Sequence, residues 1–326
     1  MIARRHLIAG SAALGLGACV RGPREPGLLT AVDVHASDYP TVAAVRWLSD
    51  ELERETGGRL SIRTYPGGQL GAETDTVALA RFNVLDICRV TAAALNNAFP
   101  LSCALVLPYT FHDEAHMRRV ADSAIGQEIL DSFATHDLIG LALYDGGARS
   151  TYNARHPIVS PEDMRGLKVR VPRSDIFLDM LNAMGANATP IPFGEVFTGL
   201  QTHLIDAAEN NWSTFQSTRQ YEVARYWSET QHCHSPDVLL LSKRRYDAMS
   251  PQDRDLLRSK ARDSVAIMRA LWDEKQANAR ATVLAAGVEN NDVDREAFRA
   301  AVEPVRRRYA EDSVVGDLLQ RIEREA

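Results

Sequence analysis

The segment from Leu29 to Gly68, LTAVDVHASDYPTVAAVRWLSDELERETGGRLSIRTYPGG, decides the fold. Alternating apolar residues from Leu29 to His35 predict a strand, after which Val42, Val45, Leu48 and Leu52 recur at helical spacing through Thr41 to Glu55. Gly57 and Gly58 stop that helix, Leu60, Ile62 and Thr64 alternate as a second strand, and Pro66-Gly67-Gly68 turns the chain. A parallel β-α-β unit is the economical reading.

Working outward, Glu73 to Arg81 reads as a helix, Leu85 to Val90 as a buried strand, His116 to Thr135 as one helix and Leu138 to Tyr144 as a strand. A second alternating set follows after about residue 148. Ser160-Pro161-Glu162-Asp163 is a capped helix start, Val169 to Val171 a strand, Asp175 to Met184 and Gly194 to Thr202 helices, and Leu204 to Ala208 a strand. Asp86 and Asp206 fall in corresponding places of the two sets, a weak hint of repetition. Ser250-Pro251-Gln252-Asp253 then opens a helical pattern running to about Ala286. A helix of that length, placed after two α/β lobes, can pack along both as the spine of a hinged receptor.

The chain has 326 residues, 45% of them hydrophobic and 25% charged, an ordinary globular composition. Its 37 Lys and Arg against 43 Asp and Glu leave a formal charge of −6, without the basic excess that nucleic-acid binding demands, so no nucleic acid is expected as a partner. Arg4 and Arg5 precede a short uncharged run from Leu7 to Gly17, the order of an export signal. Leu16-Gly17-Ala18-Cys19 resembles a lipobox, which makes Cys19 the expected lipid attachment site and residues 1–26 a signal and linker. The mature protein is then exported to the periplasm, its only membrane contact a lipid on Cys19. Cys88, Cys103 and Cys233, odd in number and irregularly spaced, read as buried small hydrophobes.

The chain has no HExxH, CxxC, GxSxG or GxxxxGK pattern, which lowers the odds of hydrolase, thiol-redox and nucleotide chemistry; no cofactor and no metal are expected. What remains is a set of arginines at strand ends. Arg149 follows the strand Leu138 to Tyr144 in Asp145-Gly146-Gly147-Ala148-Arg149-Ser150, where the glycines let the backbone cross between lobes. Arg170 sits between Val169 and Val171 and points opposite to them, toward solvent or an interlobe cleft, and Arg89 ends the strand Leu85 to Val90 in the same way. Ligands of open α/β sheets bind beyond the carboxyl ends of the strands, and a guanidinium fork matches a carboxylate bidentately.

Three blocks in order carry a resemblance: Tyr65-Pro66-Gly67-Gly68-Gln69-Leu70-Gly71, Gly166-Leu167-Lys168-Val169-Arg170-Val171-Pro172, and Pro192-Phe193-Gly194-Glu195-Val196-Phe197 with Asp206-Ala207-Ala208-Glu209-Asn210. From about Ala31 to Asp273 the chain resembles the solute-binding receptors of tripartite ATP-independent periplasmic (TRAP) transporters, the DctP-like family. The resemblance implies an α/β, two-lobed periplasmic binding protein fold with a ligand cleft between the lobes and a long spine helix. Lobe I is expected to comprise 27–147 and 236–275, lobe II 148–235 and 276–326. It also implies a non-catalytic receptor that delivers an organic acid to TRAP membrane permease subunits. By the same resemblance Arg170 clamps the ligand carboxylate, Arg149 is a second donor, Asn210 contacts the ligand and Phe193 packs on it. Glu73 and Arg89 face the cleft from the first lobe, and His35 is a hydroxyl partner. The Asp145 to Ser150 and Glu209 to Trp212 stretches look like the branch that takes glucuronate or galacturonate, with Asn211 a further hydroxyl partner, although Thr151 and Ser213 depart from its pattern. A C4-dicarboxylate or another hydroxy acid stays open, as does a periplasmic sugar-acid lyase or hydrolase using Glu73 and His35.

Overall fold

The computed structural model describes residues 27–325; the leader and Cys19 lie outside them. In chain order the strands are β1 (Leu28–Val32), β2 (Ser61–Tyr65), β3 (Ile87–Thr91), β4 (Leu138–Tyr144), β5 (Ala148–Asn153), β6 (Lys168–Val171), β7 (Asn187–Pro190), β8 (Ala207–Asn210), β9 (Tyr226–His234), β10 (Asp237–Ser242) and β11 (Glu289–Asn291). They form two sheets, ordered β2-β1-β3-β10-β4 and β11-β9-β5-β8-β6-β7. With helices packed around both, this is the two-sheet α/β architecture that the sequence implies.

The β-α-β unit read from residues 29–68 is present. β1 pairs in parallel with β2, Leu29 opposite Ile62, and with β3 on its other side. The connecting helix Pro40–Thr56 buries Val42, Val45, Leu48 and Leu52, then ends on a left-handed Gly57 whose N–H bonds the Glu53 carbonyl. The interior strand β10 escaped the sequence reading. Its six residues are all buried and it inserts antiparallel between β3 and β4, so it lacks the alternation that marks a half-exposed strand.

The chain passes between the sheets at Tyr144 to Ala148, at His234 to Asp237 and along the helix Pro251–Ala285. That helix has 35 residues, roughly 50 Å at the usual rise. One stripe, Leu257, Ala261, Ser264, Met268, Trp272, Ala279 and Val283, is buried along its length. Leu257 to Trp272 pack with Leu239 of the first sheet and with Leu48 of the helix Pro40–Thr56, whereas Val283 joins Trp227 of the second sheet and Phe215 of the helix Trp212–Ser217. The two strand crossovers press against each other. A Cβ added to Gly146 would lie 1.8 Å from the Ser235 carbonyl oxygen, with backbone on both sides. Gly146→Ala is therefore expected to cost about 3 kcal/mol or more of stability, measured by urea unfolding.

One sequence expectation needs correcting. The helix read from His116 to Thr135 is two, Glu114–Asp122 and Ala124–Ser132, because Ser123 is extended and its Oγ caps the Ile125 N–H at 3.1 Å. The tail helix Ser313–Arg324 packs its Val315, Leu318, Leu319 and Ile322 stripe on the 3-10 segment Pro100–Leu105 and on Ala124–Ser132. His116 Nε2 meets the Ile322 carbonyl there at 2.9 Å. The charged composition of the tail conceals this i, i+3, i+4, i+7 stripe. Cys88, Cys103 and Cys233 are buried free thiols, and burial pushes Cys88 up to about 12.

Candidate ligand-binding cleft

A cavity lies between the sheets beside the two strand crossovers. Its walls include His35, Glu73 and Arg89 from the first sheet's side, Arg149, Arg170, Phe193 and Asn210 from the second, and Thr91, Ser235 and Asp237 near the crossovers. Every ligand-binding residue named from the sequence within the described range lines this one space. Contacts across it hold the two sides together: Tyr39 Oη and Thr214 Oγ1 at 2.9 Å, Asn96 Nδ2 donating to Ser174 Oγ at 2.8 Å, and the Phe193 ring edge-on to His35 at 5.2 Å.

Arg170 reaches the cavity because Val169 and Val171 turn inward to the core, both fully buried, and its own side chain leaves the other face of β6. Its Nε donates to the Ile191 carbonyl at 2.8 Å. Among the described residues its terminal nitrogens make no hydrogen bond, and no carboxylate lies within ion-pair distance, although the residue is only 4% exposed. Burial pulls the guanidinium below its ordinary range, Glu209 opposing and Arg149 adding repulsion. A buried cation without a counter-ion is costly to keep, and an incoming anion relieves that cost.

The other two arginines are already engaged. Arg149 holds Glu209 through Nε at 2.5 Å and Nη2 at 2.8 Å, and its Nη1 donates to Asn210 Oδ1 at 3.2 Å. Burial raises the Glu209 carboxyl, but the adjacent Arg149 charge prevails and holds it at about 2. Arg89 donates through Nε and Nη2 to both oxygens of Asp33, and its Nη1 lies 3.2 Å from Glu73 Oε1 and from Asp237 Oδ2. Three carboxylates thus surround one guanidinium on the first sheet's side. Glu73 Oε1 also accepts the Thr91 N–H at 2.9 Å.

His35 stacks on Tyr39 with ring centroids 3.7 Å apart. Burial and the Arg89 charge bring its imidazole down to about 3, so it faces the cavity neutral, able to donate from one nitrogen and accept at the other. Asn210 turns its Oδ1 to Arg149 and to the Asn211 N–H, and among the described residues its amide nitrogen has no partner. Asn211, a hydroxyl partner by the sequence reading, also lines the cavity, its Nδ2 donating to the Gly146 carbonyl and its Oδ1 capping the Thr214 N–H.

A family profile for bacterial extracellular solute-binding proteins, family 7, known as DctP, matches residues 31–312. The chain belongs to this family. DctP relatives include a solute-binding protein of Chromohalobacter salexigens, 33% identical over 92% of this chain and 94% of that one. A TRAP periplasmic solute-binding protein from Xanthobacter autotrophicus Py2, solved with bound β-D-galacturonate, is 45% identical with a TM-score of 0.89, covering 90% of this chain and 98% of that one. Another from Pseudomonas putida F1, solved with bound D-glucuronate, is 35% identical with a TM-score of 0.88, covering 91% and 96%. DctP proteins are extracytoplasmic receptors that bind small acids for TRAP transporters and are not enzymes, so the lyase and hydrolase reading is set aside.

Asp33, Asp237 and Thr91 were missed from the sequence. Asp237 had a signal, an acid opening the apolar run Val238-Leu239-Leu240-Leu241, and Asp33 stood inside the quoted strand, two residues before His35.

Proposed function

We propose that this TRAP receptor closes on a hexuronate, galacturonate or glucuronate, and delivers it to the membrane permease subunits of its transporter. The observation that carries the reading is the buried Arg170 guanidinium, lining the cavity with no carboxylate partner of its own among the described residues. A ligand carboxylate completes the missing ion pair at its terminal nitrogens, and Arg149 Nη1 supplies a second donor. Asn210 Nδ2, neutral His35 and Glu73 Oε2, which has no partner among the described residues, meet hydroxyls, and Phe193 packs on the sugar face. The bound uronates in relatives 45% and 35% identical support the ligand class. The lobes are 27–147 with 236–275 and 148–235 with 276–326, the tail helix Ser313–Arg324 of the second reaching back onto the first, and a lipid on Cys19 tethers the mature receptor to the inner membrane.

Thermal unfolding against a panel of uronates, aldonates and C4-dicarboxylates tests this. A hexuronate at 100 times its dissociation constant is expected to add about 2.7 kcal/mol, a rise of several degrees in melting temperature. The ligand assignment fails if no hexuronate moves the transition while another acid does.

A further inference from the structure

The cavity is electrically two-ended. On the second sheet's side Arg149 and Arg170 face a single acid, Glu209, whereas on the first Arg89 faces Asp33, Glu73 and Asp237. The Arg89 charge is already outnumbered by its own partners, so it has none left to offer a ligand. Burial above all, with Glu73 and Asp33 adding repulsion, pushes the Asp237 carboxyl up to about 7 against the pull of Arg89, so near neutral pH it is partly protonated, and Asp33 with Glu73 alone already outweigh the Arg89 charge. Both acids that line the cavity, Glu73 and Asp237, are well placed to accept hydrogen bonds from hydroxyls and badly placed to meet a second carboxylate.

We infer that the Glu73, Asp237 and Arg89 wall is a specificity device that admits acids with one carboxylate and a hydroxylated far end, and rejects dicarboxylates of the same skeleton. The inference rests on the proposed clamp at Arg170, which fixes the end of the ligand that carries the charge. The diacid loses on two counts at the wall. It brings a negative charge to a surface already in negative excess, and it removes the hydroxyl hydrogen that the carboxylates would accept. Pairing of the second carboxylate with Arg89 cannot compensate, because the Nε and Nη2 of Arg89 are committed to Asp33 and its Nη1 to Glu73 and Asp237.

Calorimetric titration of matched open-chain pairs isolates the effect. Galactonate and galactarate differ only in a terminal hydroxymethyl against a carboxylate, as do D-erythronate and meso-tartrate; galacturonate is titrated beside them. The mono-acid that binds best is expected to bind at least 100-fold more tightly than its diacid. In Glu73→Gln and Asp237→Asn variants, which keep size and the acceptor oxygen, that ratio is expected to fall at least tenfold, chiefly through gained diacid affinity. A diacid within tenfold of its mono-acid partner in the parent protein overturns the inference, as does an unchanged ratio in both variants or failure of every mono-acid to bind. Aldonate binding with the filter intact but no response to galacturonate supports the wall while overturning the hexuronate assignment, so the two failures are distinguishable.

Discussion

Arg170→Lys is expected to weaken ligand binding by about 10²- to 10³-fold while the unliganded protein melts within a few degrees of the parent. The Arg170 Nε is fixed on the Ile191 carbonyl, which orients the planar group and leaves its two terminal nitrogens as a parallel pair at the cavity wall. A lysine ammonium keeps the charge but not the fork, and it must choose between the Ile191 carbonyl and the ligand. Folding loses little, because among the described residues the side chain makes only that one hydrogen bond. Arg170→Met carries the argument further. It removes a buried charge that lacks a counter-ion, so the unliganded protein should melt at the same temperature or higher while binding is lost. Calorimetry and urea unfolding of the two variants give both quantities. Affinity retained within threefold in Arg170→Lys would move the clamp to Arg149.

This division between binding and folding could not be read from the chain alone. Alternation in Lys168-Val169-Arg170-Val171 tells which way the side chain points, since the valines must go to the core. It does not tell that Arg149 would be claimed by Glu209, sixty residues away, or that Arg89 would be claimed by Asp33, Glu73 and Asp237. Three arginines of similar local context have three different environments, and only pairing across the sheets separates them. Asn211 shows the same limit: that its Oδ1 caps the Thr214 N–H is a contact the sequence does not announce.

Elements built from local contacts were the legible ones. The β1-helix-β2 unit closes within forty residues and announces itself by periodicity, glycine stops and a turn. The spine helix is written in its capped start and in the stripe from Leu257 to Val283. β10 is different in kind, because its partners β3 and β4 lie about 150 and 100 residues earlier and its apolar run Val238 to Leu241 is equally compatible with a buried helix. The aspartates at positions 86 and 206 make the hinted repeat concrete. Asp86 Oδ2 accepts the Thr30 N–H midway along β1 at 2.8 Å and Asp206 Oδ2 the Lys168 N–H at the start of β6 at 3.0 Å, each fastening a neighbouring strand.

Glu209→Gln is expected to destabilise the fold by about 3–5 kcal/mol, the usual cost of leaving one partner of a buried ion pair uncompensated. Glu209 is fully buried, and both of its oxygens accept from Arg149. Glutamine keeps one acceptor but turns its NH₂ toward a guanidinium that has only donors. The same pair governs acid sensitivity. The Glu209 carboxyl sits at about 2 in the folded protein against an ordinary 4.5, so the unfolded chain binds the extra proton first as pH falls. Its contribution, about 3 kcal/mol, is fully present above pH 4.5 and is lost as pH drops through 4.5 toward 2. Urea midpoints followed from pH 6 to pH 3 should therefore fall more steeply for the parent than for Glu209→Gln, whose residue 209 no longer titrates. Parallel curves would show that the Arg149 pair is not what acid breaks. Pairing Glu209→Gln with Arg149→Met should recover at least half of the lost stability, since the stranded charge leaves with its partner.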